Sequence, residues 1–172
     1  MRKILILISL FLAFGCSTFS IQAVEEKVAT SSFELFWPLS SGKTVDESFY
    51  FLKTLKENVR EMLIFSPAPK ADYQVMLGTK RVLEVEKLVD SKKGGPTLKT
   101  ISLANDQFSK ALGNWEKANQ SGKADPALRI NIKNRLDNLE AFLPGLSDKT
   151  EGEQKEKLNN LKQLINQFLQ KL

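Results

Sequence analysis

The sequence predicts an all-α fold, an antiparallel helical hairpin extended to a bundle of about five helices. Two observations carry this. Apolar residues in the body of the chain recur three and four apart between Gly, Pro and Ser stops, the period of one face of a helix, and no alternating strand pattern of useful length interrupts them. The proportions of the 172 residues, 42% hydrophobic and 26% charged, suit one globular unit.

The first 23 residues are built differently from the rest. Arg2 and Lys3 precede an apolar run from Ile4 to Phe14, 11 residues long with Ser9 inside it, where a bilayer-spanning helix needs about 20. This reads as an export signal. Ile21-Gln22-Ala23 places a small residue before Val24, which marks Val24 as the expected mature start. Leu12-Ala13-Phe14-Gly15-Cys16 is also similar to the box that precedes a lipidated cysteine, so Cys16 is a candidate lipidation site. The chain is thus expected to be periplasmic or extracellular, or else a membrane-anchored lipoprotein.

Residues 24–43 show no sustained period and read as an extended lead-in or tether carrying the cluster Phe33, Leu35, Phe36 and Trp37. The helical bundle is expected over 44–172. Thr44 with Glu47 three positions on forms a capping-box pattern and predicts a helix start. Tyr50, Phe51, Leu52, Leu55, Val59, Met62 and Leu63 then supply an inward apolar face, ending near Phe65. Ser66-Pro67-Ala68-Pro69 is at once a turn and a helix start. The second helix carries Tyr73, Met76, Leu77, Leu83 and Leu88, and Gly94-Gly95-Pro96 should terminate it. So short a link implies an antiparallel hairpin over 44–93.

Three further helices fill 97–172. Leu98, Ile101, Ala104, Phe108, Leu112 and Trp115 form the inward stripe of the first, broken at Gln120-Ser121-Gly122-Lys123. Asp125 before Pro126 is a good N-cap with proline in the first helical position. Leu128, Ile132, Leu136, Leu139 and Phe142 continue that helix to a stop at Pro144-Gly145. The last opens at a second capping-box pattern, Thr150 and Glu153, and repeats Leu158, Leu161, Ile165, Phe168 and Leu172 at heptad spacing. That stripe either closes the chain's own core or forms a homodimer seam.

Composition excludes several function classes. With no His and one Cys, there is no Ser-His-Asp triad, no His-ligated metal and no internal disulfide. No cofactor or metal is expected. Without Arg2 and Lys3 the net charge falls from +5 to +3. Residues 24–96 hold 11 basic and 11 acidic side chains and 97–172 hold 12 and 9, interleaved throughout. Nucleic acid is therefore not an expected partner.

The stretch Ser48-Phe49-Tyr50-Phe51-Leu52-Lys53, then Glu57, Phe65-Ser66-Pro67, Lys70-Ala71, Lys80-Arg81-Val82-Leu83-Glu84 and Leu88, resembles the bacterial domain of unknown function family 5667. The resemblance covers roughly residues 38–93. It implies an exported or membrane-anchored protein and a helical hairpin, and no activity.

Counting outward from the proline turn, Lys53 falls level with Glu84 and Glu57 level with Arg81. These four are the candidate site, as exposed register-setting ion pairs or as a polar site for an acidic peptide or glycan. An enzyme lacking His would need paired carboxylates, for which Glu57 and Glu84 are the pair to examine in a glycan hydrolase. A carrier holding lipid or another hydrophobic ligand between the helices is the other alternative. The expectation these residues favour is a non-catalytic binding or scaffolding protein of the cell envelope, its partner an envelope protein or glycan.

Overall fold

The computed structural model describes residues 31–172. Cys16, the apolar run and the expected cleavage site lie outside them. The described residues form an all-α bundle in the order α1 (Ser32–Phe36), α2 (Tyr50–Met62), α3 (Pro67–Asp90), α4 (Gly94–Gln120), α5 (Pro126–Asp148) and α6 (Gly152–Gln170). No helix among them is long and apolar enough to cross a membrane.

The core lies between α3, α4, α5 and α6. Val75, Val82 and Val85 of α3 meet Phe108 and Trp115 of α4, Leu136 and Leu139 of α5, and Leu161, Ile165 and Phe168 of α6 in one cluster. Leu158, Leu161, Ile165 and Phe168 are buried within the chain's own core and Leu172 packs half-buried against it, so the heptad stripe is occupied inside the molecule. The α3–α4 contact is the most extensive in the bundle. Gly78 makes it possible, because a Cβ there would stand 2.7 Å from Phe108 Cζ, closer than carbon atoms approach.

The N-terminal cluster folds back onto the bundle. Phe36 is buried edge-on against Phe142, with ring centroids 5.6 Å apart. Asn138 Nδ2 donates to Leu35 O at 2.7 Å. Phe33 and Trp37 remain on the surface, in tilted contact with ring centroids 5.0 Å apart.

Several local expectations are corrected. Neither capping box forms: Thr44 turns its hydroxyl to the Asp46 and Glu47 carboxylates at 2.6 and 3.0 Å, and α2 begins only at Tyr50, behind a left-handed Phe49. Thr150 donates to Ser147 O, and α6 starts without a side-chain cap. Gly94-Gly95-Pro96 does not end a helix but opens α4, where the proline needs no N–H partner. Pro144 sits inside α5, which runs on to Asp148. That extra turn places Leu146 in the core, a gain that offsets the missing backbone bond. Asp125 does cap α5, accepting from Ala127 N at 2.8 Å.

The largest correction concerns α2. The face expected to be inward points to solvent: Phe51, Leu52, Leu55, Val59, Met62 and Leu63 are all exposed, with Phe49 and Phe65 at either end. The polar face is the one that meets α3. The surface α3 offers is polar too, carrying buried Gln74, Arg81 and Glu84, and the Lys53, Glu57 and Glu61 side of α2 supplies hydrogen-bond partners to all three that its apolar side would not.

Candidate functional site

The helix period places Lys53 and Glu57 one turn apart on α2, and Arg81 and Glu84 one turn apart on α3. Antiparallel packing from the Pro67 turn brings all four together in the register expected. Lys53 Nζ lies 2.6 Å from Glu84 Oε1. Arg81 bridges the two carboxylates, pairing with Glu84 through Nη1 and with Glu57 through Nη2. The result is an alternating chain, Lys53, Glu84, Arg81, Glu57, in which two cations balance two anions.

These pairs are not the exposed ones anticipated. Glu84 has no accessible surface, and Arg81 and Glu57 are buried. Burial works to lower the Arg81 pKa, but Glu84 and Glu57 outweigh it and hold it above the usual arginine value. Burial likewise pulls Lys53 below the ordinary lysine value, with Glu84 opposing. Tyr50, placed by the sequence in the apolar stripe and in the family-like stretch but not in the candidate site, completes the cluster. Its hydroxyl donates to Glu84 Oε2 at 3.2 Å, and its ring lies 5.5 Å from the Arg81 guanidinium and 5.7 Å from Lys53 Nζ. Burial raises its phenol far above the normal range.

Lys53 also fixes the segment before α2. Its ammonium donates to Ser41 O and Lys43 O as well as to Glu84, which uses all three of its donors. Gly42, between those two carbonyls, adopts φ +66°, a conformation glycine reaches without steric cost. Outside the cluster the same segment is tied down by Glu47 to Lys87 at 2.6 Å and by Asp46 to Lys93.

Both candidate carboxylates, Glu57 and Glu84, are therefore bound to one arginine. Chemically the cluster clamps α2 to α3 in a single register. Beside it a cleft of about 370 Å³ opens between the Ser40–Gly42 segment, α2 and α3, with Lys56, Arg60 and Lys80 on its walls. The sequence did not group these three as a site, since what brings them to one cleft is the inverted orientation of α2.

The family model for Domain of unknown function (DUF5667) matches residues 42–168, reaching past the hairpin through the last three helices. No curated protein and no solved structure matches the chain. The match spans most of the sequence and every element of the bundle after α1, and the chain belongs to the DUF5667 family.

Proposed function

We propose that the chain is an exported bacterial envelope protein that works by binding or scaffolding, without catalysis or cofactor, and that its binding element is the outer face of α2. One observation carries this reading. Eight large apolar side chains from Phe49 to Phe65 stand about half exposed or more on that face, while ion pairs hold the opposite face in place. Together they present roughly 900 Å² of apolar surface, where a monomer's largest patch is usually about 300–600 Å². A partner covering it would bury about what each side of a standard interface buries.

The hydrophobic-carrier alternative draws less support, because these residues face outward instead of lining an enclosed space. A photo-crosslinking amino acid placed at Leu55, Val59 or Met62 in living cells should yield an adduct, to lipid or protein, that the same residue at the exposed Asn131 of α5 does not. Absence of any adduct from all three positions would remove the reading. Intact mass of the native protein tests its compartment: a start at Val24 or a lipidated Cys16 supports export, and an uncleaved Met1 start opposes it.

A further inference from the structure

The partner class can be named from charge. Resting on the reading of α2 as the docking element, we infer that α2 lies flat on an anionic lipid bilayer, its apolar stripe in the acyl boundary and the basic cleft beside it against the headgroups.

Three features of the face converge on this occupant. The first is length and shape: the 13 residues of α2 span about 20 Å, too short to cross a bilayer and suited to lying in its interface. The second is composition along the stripe, with phenylalanines at both ends and leucine, valine and methionine between, the apolar half of an interfacial helix. The third is the sign of the rim. Lys56, Arg60 and Lys80 gather on one flank, and none of them is in an ion pair among the described residues. Arg60 lies over the Tyr73 ring at 5.2 Å.

The acids of this region are withdrawn from the rim. Glu57 is held by Arg81, and Glu61 accepts from Gln74 at 2.6 Å. The flank beside the stripe thus carries three cations unpaired among the described residues, while of the two α2 acids Glu57 is neutralised by Arg81 and Glu61 is turned onto the Gln74 amide of α3. A second copy docked stripe to stripe would bring two basic rims together without an acid to answer them, whereas phosphate headgroups supply the missing charge. The buried ion cluster gives the arrangement its permanence. It keeps α2 folded with its apolar side outward before lipid arrives, so little ordering is left to occur on binding.

The test uses the full chain with Cys16→Ser, so that a single nitroxide can be placed at Leu55→Cys or, as a control, at Asn131→Cys. Vesicles of phosphatidylglycerol and phosphatidylcholine should immerse the label at position 55, seen as higher collision with oxygen and lower collision with a water-soluble nickel chelate, while the label at 131 stays aqueous. Attachment through the N-terminal segment cannot imitate a local immersion at 55. Adding Lys56→Glu and Arg60→Glu should reduce the immersed-to-aqueous ratio by more than roughly 30-fold, since losing two basic residues near an anionic surface removes about fivefold each and the new carboxylates add repulsion. Circular dichroism checks that each variant keeps its helix content.

A label at 55 that stays in water beside these vesicles overturns the inference, as does equal immersion on pure phosphatidylcholine or immersion unmoved by the charge reversal. Spin–spin broadening at 55 without lipid assigns the face to a second copy, which refutes the lipid and retains α2 as the docking element. No immersion and no broadening, together with no photo-adduct in cells, removes both.

Discussion

Lys53 and Glu84 meet at 2.6 Å across 31 residues of sequence, and Glu84 also takes Arg81 and the Tyr50 hydroxyl. Glu84 therefore sits between two cations, Lys53 and Arg81, that would otherwise repel across the α2–α3 contact, with Glu57 supplying the second balancing charge. Removing one partner of a buried pair costs about 3–5 kcal/mol. Because α2 touches the bundle mainly through this cluster, the cost of Glu84→Gln should fall on α2 docking before it falls on the core. Hydrogen exchange is expected to show amides of α2 losing roughly 100-fold of their protection, the lower end of that range, with α4 and α6 little changed. An even loss across all helices would contradict this.

The inverted face of α2 gives a sharp contrast between two leucines. Leu55 is 56% exposed and Leu161 is 0% exposed, although both sit in apolar stripes at helical spacing. Leu55→Ala should change stability by less than about 0.5 kcal/mol, and Leu161→Ala should cost about 2–5 kcal/mol. Denaturant unfolding of the two variants measures both. Similar losses at the two sites would mean that α2 buries its apolar side after all.

The register of the site was legible because the Ser66-Pro67 turn fixes the arithmetic of an antiparallel pair. Lys53 lies 13 residues before Ser66 and Glu84 lies 15 after Pro69, at about one level on either side of the Ser66–Pro69 turn. The direction of the α2 stripe was not legible, since periodicity identifies a face without saying what it meets. The deciding residues, Gln74, Arg81 and Glu84, belong to another helix. The caps failed for a local reason: Thr44 found carboxylates two and three residues away that compete with the backbone for its hydroxyl. The core of the last three helices was legible in outline, because Phe108, Trp115, Leu136, Leu139 and Leu161 all fall on stripes whose partners face them, whereas Val75, Val82 and Val85 of α3 and Leu146 beyond Pro144 were not in the expected stripes.

The segment before α2 should respond to acid earlier than the bundle does. The Lys93 ammonium and the Thr44 hydroxyl hold Asp46 down at about 2, and Lys87 and Thr44 hold Glu47 below the ordinary glutamate value. Both groups have folded-state values depressed below the unfolded ones. Their contribution is present above the unfolded values, near pH 4, and is lost as pH falls through the folded ones toward 2. Amide resonances of residues 43–49 are expected to shift together across that window while those of α4 hold. Asp46→Asn should leave only the Glu47 part of the response, and high salt should weaken it further because these pairs are exposed.

Gly78 separates packing from helix propensity in one substitution. In an open helix, Gly→Ala stabilises by about 1 kcal/mol, but here the new methyl would meet the Phe108 ring at 2.7 to 3.0 Å on three of its carbons. Phe108 is itself fully buried, so it has no empty space to move into. Overpacking of that kind costs about 1–3 kcal/mol, which leaves a net loss of about 0–2 kcal/mol for Gly78→Ala instead of the gain expected in an open helix. Phe108→Leu alone should also destabilise by trimming a buried ring. The two changes together should cost less than their sum, because a smaller side chain makes room for the methyl. Denaturant unfolding of the wild-type protein, both single variants and the double variant closes this cycle, and simple additivity would show that the Gly78 Cβ position does not contact the Phe108 ring.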